Sequence, residues 1–134
     1  MGSGSGSVLN KYNLDFVSKL NGEFAGIIYD KPSETVYAFT DLLGSRPIYA
    51  TRGDDNELIL TTQIQLIPEY PCVNTSFDAA YLCEYICYNR VFGIHTPLKS
   101  IKKLPPASMV TFDLQEQRRE QNRYWYPTLK PTTK

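Results

Sequence analysis

Several features common in binding proteins are scarce in this sequence. The 134 residues carry 14 Lys and Arg against 14 Asp and Glu, so there is no net positive field to attract nucleic acids or anionic membranes. No run approaches the roughly 18 consecutive apolar residues of a membrane-spanning helix. A basic-then-apolar secretory leader is also missing from the first residues. These absences predict a cytoplasmic protein that binds neither nucleic acids nor membranes.

Cysteine and histidine are also rare. The three cysteines, Cys72, Cys83 and Cys87, are an odd number and do not suggest a disulfide framework. Cys83 and Cys87 would share one face of a helix and could contribute to a metal site there. However, His95 is the only histidine, and no further ligands stand at a suitable spacing. We therefore predict no metal site and expect the cysteines to be small buried residues in a reducing compartment.

Two clusters of like charge are better explained by solvation than by ligand binding. The carboxylates of Asp54, Asp55 and Glu57 fall in a polar turn, which favours a hairpin tip over a cation site. A small basic patch could meet a phosphate, but the sequence has no Gly-rich phosphate loop. Its members are Arg90, Lys99, Lys102 and Lys103. We predict that both clusters are exposed surface.

The remaining candidate residues also favour structural roles. His95 has no Ser or Cys partner at a spacing typical of nucleophilic catalysis. The YWY segment, Tyr124 to Tyr126, is more typical of an edge-strand anchor than of a platform for stacking bases. The Arg-Gly-Asp triplet at 52–54 is too short to argue for cell adhesion. On these residues alone, no catalytic set is predicted.

The hydrophobic pattern predicts one α+β domain that is mainly antiparallel sheet with few helices. The alternating Gly and Ser of residues 1–7 are interpreted as an artificial spacer, residues 8–127 as the domain and residues 128–134 as a linker tail. Strands are predicted at 23–30, 35–40, 48–51, 58–62 and 109–114 and within 118–126, and helices at 13–20 and from Ser76–Asp78 to about Tyr88.

Some details of these elements can also be predicted. The first four strands are joined by short turns, so we expect them to form a meander. Strand 23–30 is apolar on both faces, which predicts a central position. Asn13 and Ser76 are the expected caps of the two helices. In the turn between the second and third strands, Gly44 is expected to adopt a positive φ.

Read in order, several motifs resemble the second half of the glutaminase domain of asparagine synthetase-like proteins, which are class II glutamine amidotransferases of the N-terminal-nucleophile type. The resemblance covers Leu14 to about Pro127. β-Lactam synthetases and lasso-peptide cyclases are similar in this region. The resemblance implies a four-layer αββα sandwich, to which this chain contributes later strands of both sheets. The motifs are LNGEFAGIIYD, FTDLLGSRPIYAT, LTTQIQLI, FDAAYLCEYICYNRVF, TPLKSIKKLPPASMVTFDL and YWYP.

The chain departs from the family pattern at three positions. Thr40 stands where the family's turn motif has Arg, so an ion pair made by that Arg is not expected here. Ile48 replaces a Leu in the same motif. Ala107 replaces the Gly of the LPPG element, which predicts a relaxed turn at that point.

The resemblance also implies where catalysis would occur. Family members use a Cys at the processed N-terminus, and its own α-amino group acts as the general base. An Arg, an Asn-Gly pair and an Asp from the first half of the domain hold the glutamine. All of these precede the region of resemblance, and Asn21-Gly22 belongs to a later motif. Because internal cysteines have an amide nitrogen in place of a free amine, we predict no catalytic, cofactor or metal residues in this chain and no activity by itself.

The implied parent hydrolyses glutamine and passes the ammonia to an ATP-activated aspartate in asparagine biosynthesis. ATP and Mg are expected only in a following synthetase domain, and the expected partners are that domain and the first half of the glutaminase domain. Strand edges left open would favour a homo-oligomer. Two alternatives remain. The domain could have lost its nucleophile and serve as a non-catalytic scaffold for a synthetase or cyclase, or it could be an unrelated module that binds a protein through its Tyr-rich surface.

Overall fold

The computed structural model describes residues 16–131, in which seven strands and two named helical segments follow one another. The predicted strands are all present, with one short addition, β5. In chain order, the elements are β1 (Ala25–Asp30), β2 (Thr35–Thr40), β3 (Tyr49–Arg52), β4 (Leu58–Thr61), a 3₁₀ helix (Ile64–Glu69), α1 (Ala79–Tyr88), β5 (Lys102–Lys103), β6 (Ser108–Asp113) and β7 (Arg118–Arg123). Residues 16–19 are also helical.

The strands form two antiparallel sheets, and the predicted meander is wrong. The four-stranded sheet has the order β1-β2-β6-β7, and the three-stranded sheet has the order β4-β3-β5. β2 pairs with β6 at its second edge, Val36 opposite Phe112, so β3 cannot pair there. Instead β3 pairs with β4 and β5. The short turn between β2 and β3 would allow these strands to pair. Pairing with β6 and β5, which lie further along the chain, separates them into two sheets.

β1 is an edge strand of the larger sheet, and its neighbour β2 is one of the two interior strands. Every residue of β2 is buried. β1 pairs only with β2 among the strands of residues 16–131, and its Ile27 and Tyr29 are 46% and 54% exposed. The apolar character of β1 on both faces was therefore a misleading sign of a central position. At the edge of the sheet, β1 exposes apolar side chains and unpaired backbone N–H and C=O groups.

Alternation along the strands divides the core into three layers. Val36 and Ala38 of β2 face the space between the sheets, where they join the cluster of Ala50 and Val110. The alternate residues of β2 face outward and pack with Met109 and with Val17 of the helical residues 16–19. The outer face of the smaller sheet is covered by the 3₁₀ helix, whose Ile67 is buried with Val73 and Ile101. The described residues thus form an α+β arrangement in which two sheets lie between helical segments.

The two predicted helices are present with different details. Residues 16–19 are helical, whereas Asn13, the predicted cap, lies outside the described residues. In α1 the cap is Asp78, whose Oδ1 accepts from the Ala80 N–H at 3.1 Å. Ser76 is not the cap, because it lies three residues before the first residue of the helix. Its N–H donates to the Asn74 side chain. No helix among the described residues is both long and apolar enough to cross a bilayer.

Candidate functional site

The turn between the sheets is organised by one buried carboxylate. Asp41 is 2% exposed. Its Oδ1 accepts from the N–H groups of Leu43 and Ser45 at 2.9 and 3.0 Å, and its Oδ2 accepts from the Phe24 N–H at 3.1 Å. Burial alone would raise the pKa of Asp41, but these backbone hydrogen bonds outweigh it, so the pKa lies below the ordinary value. Gly44 has the predicted positive φ, 65°.

The backbone of Asp41 joins this turn to the LPPA segment. The Asp41 N–H donates to the Phe24 carbonyl at 3.1 Å, and the Asp41 carbonyl accepts from Ala107 at 2.7 Å. Ala107 keeps the left-handed conformation, φ 51°, that the Gly of the motif would adopt more easily. The expectation of a relaxed turn is therefore wrong. The hydrogen bonds of Ala107 to Asp41 and Tyr124 hold the backbone in place.

Thr40 contributes hydrogen bonds where the motif has an Arg. Its Oγ1 donates to the Pro105 carbonyl at 2.7 Å, and its backbone carbonyl accepts from the Tyr124 hydroxyl. The neighbouring N–H of Ser108 lies 3.4 Å from the same Thr40 Oγ1. Tyr124 thus anchors the segment after β7, whereas Trp125 and Tyr126, the rest of the predicted YWY anchor, are exposed. We call residues 40–47 and 105–108, with Phe24 and Tyr124, the Asp41 hub.

The cysteines are not buried as predicted. Cys83 and Cys87 are exposed on α1, and Cys72 is partly buried. A hydrogen bond from the Cys72 thiol to Glu57, together with burial, raises the pKa of Cys72. A raised pKa disfavours the thiolate, which is the nucleophilic form. No group of three or more His, Cys, Asp or Glu within the described range is placed to hold a metal ion.

The remaining sequence candidates have structural surroundings. Asp54 and Asp55 are exposed at the tip of the β3–β4 hairpin, as predicted. His95 stacks on Tyr81 with ring centroids 4.3 Å apart, and its Nδ1 lies 3.1 Å from the Lys102 Nζ. These contacts fix the segment after α1 and bring no nucleophile to the His95 ring. The geometry agrees with a structural role for His95.

A second feature is a cleft of about 910 Å³ between α1, the 3₁₀ helix and the segment that follows α1. Aromatic rings form part of its wall, including Phe77, Tyr85 and Phe92, and two cations, Arg90 and Lys103, line it as well. The Lys103 Nζ donates to the Val91 carbonyl at 2.9 Å. Burial and the charge of Arg90 lower the pKa of Lys103, while Glu84 acts in the opposite direction. We call this feature the α1 cleft.

The basic patch was predicted to be exposed surface. This holds for Arg90 and Lys99, whereas Lys102 and Lys103 are half-buried. β5 has only two residues, which is too short to show a strand pattern in the sequence. The position of Lys103 opposite Tyr49 of β3 is therefore seen only in the folded chain.

These features define an α+β domain of two antiparallel sheets with few helices and no assembled catalytic set among residues 16–131. The chain belongs to the glutamine amidotransferase domain family, whose model matches residues 7–125. The predicted resemblance is confirmed.

The chain is similar to an asparagine synthetase and to two fungal amidases. The chain is 30% identical over 109 residues, 76% of its length, to the glutamine-hydrolysing asparagine synthetase 3 of Bacillus subtilis. It is 30% identical over 122 residues to the amidase chyE of Penicillium rubens and 28% identical over 120 residues to the amidase chry2 of Gibberella zeae, in both cases over 85% of its length. The matched region spans only 17% of the synthetase and 16% of each amidase.

Proposed function

We propose that this chain is the later part of the glutamine-hydrolysing domain of an asparagine synthetase-like enzyme, and that it supplies the domain's frame without its nucleophile. The observation that carries the proposal is the state of the cysteines. Two are exposed on a helix, and the thiol of the third donates to a carboxylate that disfavours ionisation. All three are internal residues whose own nitrogen is an amide, so none has the α-amino group that serves as the base in the family.

The Asp41 hub supports a role as a frame. It fixes the point where the chain passes from the larger sheet to the smaller one, and it also holds the segments before β6 and after β7. A rigid frame is what a neighbouring catalytic segment requires, because reacting groups must be held within a fraction of an ångström. The chain would thus position residues that it does not itself contain.

In the proposed parent, the complete domain hydrolyses glutamine, and ammonia reaches an aspartate activated by ATP. ATP and Mg would act in a following synthetase domain, so this chain needs no cofactor of its own. The family membership and the 30% identity to an asparagine synthetase support this assignment.

Glutamine hydrolysis tests the proposal. The 134-residue chain is assayed for ammonia release alone and after mixing with the polypeptide that its gene encodes ahead of Val8. We expect no release from the chain alone and glutamine-dependent release from the mixture. The matched control replaces the first Cys of that polypeptide with Ala and should abolish the release. Ammonia from the chain alone, or none from a mixture that forms a complex, would contradict the proposal.

A second candidate is that the parent is an amidase that does not synthesise asparagine. The two fungal amidases, each matched over 85% of the chain, favour this reading. The active mixture separates the candidates when it is joined to the polypeptide encoded after Lys134. Asparagine formed from aspartate, ATP and glutamine supports a synthetase, whereas amide hydrolysis without ATP consumption supports an amidase. A complex without either activity would support the non-catalytic scaffold.

A further inference from the structure

The two edge strands of the larger sheet present different side chains. β7 has the sequence RREQNR and is exposed throughout, and charges of this kind protect an edge from pairing with another strand. β1 has the sequence AGIIYD, with a single charged residue at its end. Its Ile27 and Tyr29 are exposed. An apolar edge strand of this length without proline is a template on which another strand can pair.

The backbone groups of β1 that stay open follow from its pairing with β2. The Asp41 N–H donates to the Phe24 carbonyl at 3.1 Å, in register with the rest of the β1–β2 ladder. In an antiparallel pair, residues that bond to the neighbouring strand alternate with residues that point away from it. The even-numbered residues of β1 therefore bond to β2. The N–H and C=O groups of Ala25, Ile27 and Tyr29 point to the open edge.

The side chains of this edge also border an opening in the core. Ile27 and Tyr29 line a cleft of about 570 Å³, together with Leu58 and Leu60 of β4 in the smaller sheet. A strand added beside β1 would extend the larger sheet at this cleft. Such a strand gains main-chain hydrogen bonds and apolar contacts together.

The sequence around β1 is complementary to itself in one antiparallel register. With Ile27 opposite Ile27 of a second copy, Ala25 lies opposite Tyr29, and Glu23 lies opposite Lys31, on both sides of the two-fold axis. A small residue then meets a bulky one, and a carboxylate meets an ammonium group. Moving the pairing by two residues in either direction places an uncharged residue opposite Lys31. All the paired residues are odd-numbered, as the open backbone groups require.

We propose that β1 pairs with β1 of a second copy, so that two four-stranded sheets join into one antiparallel sheet of eight strands. The two Ile27 side chains would meet at the axis. An unrelated peptide could form the same main-chain hydrogen bonds, but the paired charges of Glu23 and Lys31 favour the chain's own sequence. The dimer does not depend on the proposed function, because it needs no residue outside this chain.

Sedimentation equilibrium of the 134-residue chain over a range of concentrations tests the dimer. We expect Ile27→Lys, which opposes two ammonium groups at the axis, to raise the dimer Kd at least about tenfold. Gln121→Lys on β7 is the matched control and should change Kd less than about twofold. Both side chains are exposed, so both variants should fold, which circular dichroism checks. A monomer at every concentration, or a dimer that Ile27→Lys leaves intact, would overturn the proposal.

Charge reversals test the register. Lys31→Glu and Glu23→Lys each place like charges opposite one another and should raise Kd about threefold or more. The double variant Glu23→Lys/Lys31→Glu restores opposite charges and should return Kd to within about twofold of the native value. Arg46 lies 3.7 Å from Glu23, and any effect of this exposed pair is shared by the Glu23→Lys single and double variants. A double variant that dimerises no more tightly than the single variants would overturn the register.

Amide hydrogen exchange locates the contact. The N–H groups of Ala25, Ile27 and Tyr29 should exchange more slowly as the concentration rises, whereas the Ile28 N–H, which bonds to β2 already, should change less. A dimer without this added protection would lie at another surface and overturn the proposal. A monomer whose β1 amides are protected only by the polypeptide encoded ahead of Val8 would assign the edge to that polypeptide and also overturn it. The sedimentation result is independent of glutamine hydrolysis by the mixture, because it uses the chain alone.

Discussion

The Asp41 hub and helix α1 contrast within one small domain. In the hub, a buried carboxylate and the Thr40 side chain satisfy backbone groups from several distant segments. In α1, the helix bonds mainly to itself, to Pro97 and to Phe92, and no residue is buried. The two regions therefore differ in how much they depend on the rest of the fold. Substitutions should lower the free energy of unfolding much more in the hub than on α1.

The largest effect on stability is expected at Asp41. Asp41→Asn keeps an acceptor for Leu43 and Ser45 but presents an NH₂ group to the Phe24 N–H, which leaves that buried donor unpaired. We expect a loss of about 2–3 kcal/mol in the free energy of unfolding, measured in urea. Asp55→Asn at the exposed hairpin tip is the matched control and should cost less than about 0.5 kcal/mol. Similar losses for both variants would remove the contrast.

The same carboxylate predicts a pH dependence. The pKa of Asp41 is lower in the folded chain than its ordinary value of 3.8, so ionised Asp41 stabilises the fold above that value. This contribution is lost as the pH falls through the folded-state pKa. The difference in unfolding free energy between the native chain and Asp41→Asn should therefore shrink below about pH 4. A difference that stays constant down to pH 2 would contradict the assigned role of the charge.

A smaller effect is expected at Gly26 in β1. A Cβ at this position would overlap Cζ of Phe39, a buried ring that packs on Phe16 and Phe24. Gly26→Ala should cost about 1–3 kcal/mol, because the ring must shift within a packed cluster. The double variant Gly26→Ala/Phe39→Leu checks the cause. Its loss should be smaller than the sum of the two single losses, and additive losses would exclude the steric explanation.

Tyr124→Phe sharpens the description of the hub. The substitution removes the hydroxyl that donates to the Thr40 carbonyl and leaves the ring in its cluster. We expect a loss of about 1 kcal/mol by thermal unfolding. Tyr70→Phe is the control, since Tyr70 is 53% exposed. A loss no greater than that of the control would show that the hydroxyl is not part of the hub.

The smallest effect is expected on α1. Ile86→Ala should change the unfolding free energy of the chain by less than about 0.5 kcal/mol, because a side chain that is 73% exposed leaves little cavity behind. Val110→Ala, in the fully buried core between the sheets, is measured alongside it and should lower the unfolding free energy more than Ile86→Ala does. A large loss from Ile86→Ala would mean that α1 is packed within this chain and would remove the contrast with the hub.

Local sequence signals predicted the elements better than their surroundings. Turn residues and alternation located every long strand, and Gly44 took its predicted positive φ. Burial was predicted less well. Cys83 and Cys87 were expected to be core residues because cysteine is usually buried, yet they lie exposed on α1. Residue type gives an average preference, whereas exposure depends on what packs against the element.

The candidate site shows the same limit. The turn motif around Asp41 was visible in the sequence, but its hydrogen bonds to Phe24 and Ala107 join positions far apart in the chain. The α1 cleft was not predicted at all. Its two cations, Arg90 and Lys103, are brought to one cavity by the pairing of β5 with β3. Long-range pairing of this kind has no local signal in the residues themselves.

The class of domain, the positions of strands and turns, and the family could all be predicted from the residues, because they depend on periodicity and on ordered local motifs. The interior position of β2, the burial of Asp41 and the exposure of α1 could be seen only in the folded chain. The physical reason is that strand partners and burial arise from contacts between distant segments, and each such contact depends on the whole chain being folded.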